Sequence, residues 1–216
     1  MTQKEKINRI SNYMNSLFPN AHCELEYNKD YELLIAIVLS AQTTDKRVNM
    51  VTKILFSKYP TLEELAEAKT EDIEKIIKPI GTFKKKSIFV KEIATRLVKE
   101  QNGIVPNNRE YLETLSGVGR KTTNVFLSEY YHVPSIAVDT HVERVSKRLG
   151  LAKKNASVKE VEESLMKKIP KKIGLKLIIN LFSLEDIIVK LEIQNVKIVN
   201  YMKYVNIKKK ISINKI

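Results

Sequence analysis

Apolar residues recur along this chain at intervals of three and four, and no stretch alternates strictly, so the pattern predicts helix after helix. A first helix over about residues 3–17 sets Ile7, Ile10, Met14 and Leu17 on one stripe. The next, which Asp30 is placed to cap, carries the run LLIAIVL at 33–39. That run is apolar on every face, which marks a central helix surrounded by others. It breaks at a polar turn, Ser40-Ala41-Gln42-Thr43-Thr44, mounted on the buried helix. Residues 44–58 give a helix with Val48, Val51 and Leu55 inward and lysines outward. Thr61 and Glu64 have capping-box spacing and open another. A short helix from Thr70 to Lys78 stops at Pro79-Ile80-Gly81. A long one then aligns Ile88, Ile93 and Leu97, opened by Lys84, Lys85 and Lys86, and ends before Gly103.

Asn107 or Asn108 can cap a short helix over Tyr111, Leu112 and Leu115. A further helix starts near Arg120 and runs through Val125 and Leu127 toward Tyr131. Thr140 with Glu143, and Ser157 with Glu160, repeat the capping-box spacing. The second of these opens a helix with Val158, Val161, Leu165 and Ile169 inward. There is no convincing strand and no internal repeat, so the fold class is all-α.

Charge sharpens this picture. The 216 residues carry a formal net charge of +13, which favours an acidic polymer, DNA or RNA, as partner; a membrane surface or plain solubility is the bland alternative. The charged start MTQKEKINRI is not followed by an apolar run, and no window is long and apolar enough to span a bilayer, so neither a signal peptide nor a membrane span is expected. A single cysteine, Cys23, allows no disulfide framework within the chain and fits a reducing compartment. It also excludes a multi-cysteine metal or iron–sulfur site in one subunit. His22 and Cys23 have no partner at metal-ligand spacing.

The densest chemistry lies between Leu115 and His141, LSGVGRKTTNVFLSEYYHVPSIAVDTH. Gly117-Val118-Gly119 falls between two helical patterns, and a Gly-x-Gly turn in that setting can bring backbone N–H groups close to an anion. The following helix points its positive dipole end the same way. Behind the turn stand an amine and, eighteen residues on, a carboxylate: Lys121 and Asp139. Taken singly, each has a plainer reading: a phosphate-contacting lysine and a helix cap.

LSGVGRKT followed by VDTHVERV, together with LLIAIVLSAQTTDKRVN at 33–49 and IGTFKKKS at 80–87, resembles the helix-hairpin-helix DNA glycosylases, specifically the endonuclease III family. The likeness covers roughly Asp30 to Pro170. It implies a six-helix domain over about 25–132 bearing the hairpin, with 1–24 and 133–173 forming a second helical domain. It also implies a bifunctional base-excision glycosylase and AP lyase that removes oxidised pyrimidines from duplex DNA and cleaves 3′ to the abasic site by β-elimination. Lys121 then matches the catalytic lysine that attacks the sugar C1′, and Asp139 the catalytic aspartate. Gln42 matches the residue that fills the hole left by a flipped base. DNA-binding positions carried over are Gln42, Ile80, Gly81, Thr82, Lys84, Gly117, Val118, Gly119, Arg120 and Thr122. Gln42, Glu113 and His141 match the lesion pocket. Thr82 stands where the family often has a wedging leucine. The expected partner is duplex DNA with a damaged base or abasic site, bound by a cytoplasmic, nucleoid-associated monomer.

From Gly174 the sequence turns Ile/Lys/Asn-rich and contains neither the family's histidine-bearing helix nor the four cysteines with which the family binds a 4Fe-4S cluster, so no cofactor is expected. This tail, 174–216, reads as a frameshifted or degenerate segment in which 175–193 can still form an apolar helix. Two other functions fit the same residues. One is a catalytically impaired DNA-binding remnant of the family. The other is a helical interaction protein in which the Gly-Val-Gly turn is only a cap.

Overall fold

The computed structural model describes residues 23–148 and 150–169, with residues 2, 5, 7–9 and 12 near the start of the chain. Among them every regular element is a helix. The chain divides into two compact units, Cys23–Ala137, and Met1–His22 with Val138–Ile216. No helix of the described residues is long and apolar enough to cross a membrane.

The first unit contains α1 (Asp30–Ser40), α2 (Asp45–Lys58), α3 (Leu62–Glu67), α4 (Thr70–Ile77), α5 (Phe83–Gln101), α6 (Arg109–Leu112) and α7 (Arg120–Glu129). In α1 every residue from Tyr31 to Leu39 is buried, as an all-round apolar run requires. Burying a large aliphatic side chain contributes about 1.5–3 kcal/mol, so α1 is the axis on which the other helices close. Packed around it are Val48, Val51 and Leu55 of α2, Val90, Ile93 and Leu97 of α5, and Phe126 and Leu127 of α7. Thr61 caps α3 in a full capping box, and Asn108 caps α6 through the Tyr111 N–H at 3.1 Å.

Two local details of this unit depart from the sequence pattern. Ile88 is 54% exposed, because α5 turns Lys86, Ser87, Val90, Ile93, Ala94 and Leu97 inward. Ile88 and Ile93 are five residues apart, a spacing that does not share a helix face. Asp30 is the first residue of α1 and no ordinary cap: its carboxylate accepts the Tyr31 N–H at 2.7 Å and reaches the Val105 N–H at 2.7 Å. It thereby ties the start of α1 to the loop after α5.

The second unit, within its described residues, contains α8 (Thr140–Arg148) and α9 (Val158–Lys168). Val142, Val145, Leu151, Val161 and Leu165 are buried there, and Ile7 is too. Ser157 and Glu160 form the expected capping box, whereas Val158 is 42% exposed. The N-cap of α8 is Asp139 and not a Thr140 box: the Asp139 carboxylate accepts the Val142 N–H at 2.9 Å and its carbonyl the Glu143 N–H at 2.8 Å. The rest of the 3–17 helix and the 174–216 tail lie outside the described residues.

Candidate active site

At the end of α1 the chain makes a tight turn from Ser40 to Thr43, closed by the Thr43 N–H donating to the Ser40 carbonyl at 3.0 Å. Ala41 has φ −54 and ψ 115, and Gln42 has φ 57. Those angles describe a type II turn, whose third position favours glycine because φ is positive there. Here that position holds an exposed glutamine. A second exposed residue with positive φ, Thr82 at 54°, stands before α5. The two turns adjoin, since a Cβ on Gly81 would lie 4.0 Å from the Gln42 carbonyl oxygen.

Beneath them lies Lys86, 4% exposed. Its ammonium donates to the carbonyls of Leu39 at 2.9 Å and Ala41 at 2.7 Å, and to Thr43 Oγ1 at 3.3 Å. Burial pulls its pKa below the ordinary lysine value. The lysine triplet is therefore no single solvated face: Lys84 and Lys85 are exposed and Lys86 faces in. Nothing in a hydropathy pattern separates these three, because a lysine reads as surface wherever it stands.

The Gly-x-Gly hairpin is fastened to the same helix. Gly117 has φ 78, and a Cβ there would meet Phe89 Cδ2 at 2.6 Å and Val38 Cγ1 at 3.1 Å. Ser116 donates to Glu92 at 2.7 Å and Arg96 to the Thr114 carbonyl at 2.9 Å. Lys85 lies 5.5 Å over the Phe89 ring. Gly119 differs: its φ is −97, and a Cβ would meet nothing within 4 Å. Val118 between them is buried, as is Ile80 of the other turn, so those two positions leave only backbone to face a ligand.

Gly119 is the N-cap of α7, and its carbonyl accepts the Thr123 N–H at 3.0 Å. Arg120 and Lys121 are exposed in the first turn, with Thr122 half-buried. Asp45, the first residue of α2, senses Lys121: burial raises its carboxyl above the usual value, Glu24 adds to this, and the Lys121 charge opposes it. Asp45 therefore lies within electrostatic reach of Lys121, a proximity that the sequence pattern did not show. The T-T-D spacing gave only a helix start.

Farther along α7, buried Asn124 takes a hydrogen bond from Arg109 and donates to the Ile136 carbonyl at 2.8 Å. The Ser135 hydroxyl donates to the Asn124 carbonyl at 2.7 Å, so α7 fixes the extended segment that ends this unit. Glu113 is exposed and paired with Arg109 at 3.0 Å. In the second unit Asp139 is half-buried at the start of α8; of His141 only its helical backbone is described. Gln42, Thr82, Lys84 and the 117–122 hairpin are thus all carried by turns and helix ends that α5 and α7 hold, whereas Asp139 and His141 belong to the other unit.

The four-iron cluster that the family resemblance implies needs four thiolates, and the sequence has one. Burial pushes the Cys23 thiol up to about 11, and the nearby carboxylates of Glu129, Asp45 and Glu24 add to the shift. A thiol held protonated is a poor iron ligand. The residues present do not fit that group.

Residues 35–171 match the HhH-GPD superfamily base excision DNA repair protein family. Endonuclease III of Bacillus subtilis (strain 168) is 47% identical over 155 residues, 72% of this chain and 71% of that one. Endonuclease III of Synechocystis is 41% identical over 170 residues, 78% and 77% of the two chains. Among solved structures, a trapped endonuclease III–DNA covalent intermediate aligns with TM-score 0.77 at 46% identity, covering 84% of this chain and 85% of that one. A non-covalent endonuclease III–DNA complex aligns with the same figures. A thermostable thymine-DNA glycosylase, at TM-score 0.72 and 24% identity, shares the fold. The hairpin on α5, the all-helical architecture and these matches lead to one conclusion: the chain belongs to the HhH-GPD superfamily of base excision DNA repair proteins and, within it, to the endonuclease III family of glycosylase/AP lyases.

Proposed function

We propose that the chain excises oxidised pyrimidines from duplex DNA and then cleaves the strand 3′ to the abasic site, with Lys121 as nucleophile and Asp139 as the catalytic carboxylate. The observation that carries the reading is the hairpin: an exposed Gly119 with open space where a Cβ would stand, followed at once by Arg120 and Lys121 at a helix N-terminus. A phosphate can approach such a backbone closely, and the helix dipole favours it there.

In this reading the Lys121 amine attacks the deoxyribose C1′ as the glycosidic C–N bond breaks, and the base leaves with the bonding pair and a proton. Asp139 offsets the positive charge that develops on the sugar. The amine passes a proton to the departing base, the C1′–O4′ bond then breaks with O4′ taking a proton from solvent, and a protonated Schiff base remains. It acidifies the C2′ proton, whose removal expels the 3′ phosphate as the C3′–O bond breaks. The exposed side chain of Gln42 enters the space left by the extruded nucleotide. Gly81, Thr82, Lys84, Gly117, Gly119, Arg120 and Thr122 contact the backbone, and Glu113 and His141 border the base.

Borohydride trapping tests this. With duplex DNA carrying an oxidised pyrimidine, the parent should yield a covalent adduct, and Lys121→Gln none, while still binding DNA. Asp139→Asn separates two roles of one side chain. Asparagine caps a helix about as well as aspartate, so α8 should survive while base release falls by about a hundredfold or more. If Asp139→Asn is as active as the parent, the carboxylate is only a cap. A parent that binds lesion DNA and never traps would support the impaired DNA-binding remnant instead.

A further inference from the structure

A type II turn and a type I turn differ chiefly by rotation of the central peptide through about half a revolution. In the Ser40–Thr43 turn that peptide joins Ala41 to Gln42, and its carbonyl is the one that Lys86 grips at 2.7 Å. The rotated alternative would relax Gln42 from φ 57 to an ordinary negative angle. The sequence alone therefore favours the flip, since glutamine is not a residue that seeks positive φ. What opposes it is a charged donor from α5, buried and engaged by three acceptors from the turn and the end of α1. The same helix begins at Thr82, the second strained position, so one element fixes both turns.

We propose that Lys86 is a positioning residue: it locks the Ala41–Gln42 peptide in the type II orientation and so aims the Gln42 side chain. The proposal rests on the reading of Gln42 as the group that enters the duplex. Lys86 itself is 4% exposed, and its ammonium is committed to the turn and the end of α1. Its role is therefore distinct from that of Lys84, which faces solvent. Strain stored at a turn and held by a neighbouring element is a known way to pre-organise a site.

The variant to make is Lys86→Met, which keeps the length and removes every donor. Single-turnover base release from lesion duplex should fall by about tenfold or more, as expected for loss of a charge-assisted hydrogen bond. Cleavage at an abasic site in single-stranded DNA should change by less than about threefold, because no duplex void needs filling there. Combined with Gln42→Gly, Lys86→Met should cost almost nothing further, since the aimed side chain is gone. Carbon chemical shifts of Gln42 report the sign of φ without any activity, and in Lys86→Met they should move to the negative-φ range. Lys86→Gln, which keeps an uncharged amide donor group, should lie between the two and serves if Lys86→Met does not fold. Unchanged Gln42 shifts in the variant overturn the lock. So does an equal loss of rate on duplex and single strand, which marks general damage to the fold. A drop of about one in the slope of log affinity against log salt would make Lys86 a phosphate contact instead, and also overturns it. A parent with no activity on any substrate defeats the proposed function, and the shifts then decide the lock alone.

Discussion

Two turns hang from α5, and they are held by opposite means. The Gln42 turn is gripped by a buried ammonium that supplies hydrogen bonds to carbonyls at the end of α1. The Gly117 turn is held chiefly by shape, its missing Cβ replaced by the Phe89 ring and Val38. A polar clamp fixes the direction of a peptide yet tolerates small changes in bulk. A steric fit tolerates no added atom, whatever its polarity. The polar clamp thus suits a turn that must aim a side chain, and the steric fit suits one that offers only backbone.

The largest effect should come from filling the steric turn. Gly117→Val adds atoms where even a lone Cβ would stand 2.6 Å from the Phe89 ring, at a φ of 78. Overpacking together with the left-handed backbone should destabilise by about 3–5 kcal/mol, and lower the melting temperature by about 10 °C. A loss of DNA binding in that variant would therefore report unfolding as much as a lost phosphate contact. Lys86→Met should cost less in urea denaturation, about 2 kcal/mol, as buried carbonyls lose their donor while a buried charge is removed. Should Lys86→Met prove the more damaging of the two, the contrast between clamp and fit is wrong. Ser116→Ala removes the 2.7 Å hydrogen bond to Glu92 and should cost about 1 kcal/mol, which measures how far polar anchoring assists the steric turn. Gly119→Ala should change stability by less than about 0.5 kcal/mol, because its Cβ meets open space. Its affinity for duplex DNA at low salt should nevertheless fall several-fold. A Gly119→Ala protein that binds DNA as the parent does would show that no phosphate approaches this backbone.

Much of this was legible in the residues. The LLIAIVL run of 33–39 could only be a central helix, because it has no face fit for water. Thr61 with Glu64, and Ser157 with Glu160, named their own helix starts, since a capping box is closed within four residues. The Gly-Val-Gly hairpin and the lysine behind it were equally visible, because conformational freedom at glycine is a local property.

What the sequence could not decide depended on partners distant in the chain. Three lysines in a row, Lys84–Lys86, all read as surface, and only the packing of α5 against the end of α1 turned Lys86 inward, across more than forty positions. Both glycines of the hairpin look alike in sequence. The Phe89 ring makes one indispensable to the fold and leaves the other open for a ligand. Asp45 acquires its coupling to Lys121 only because α2 and α7 belong to the same unit. Local hydrogen bonds and periodicity fix where helices begin and which faces are apolar. Which polar group is buried, strained or aimed follows from contacts that no short window of sequence contains.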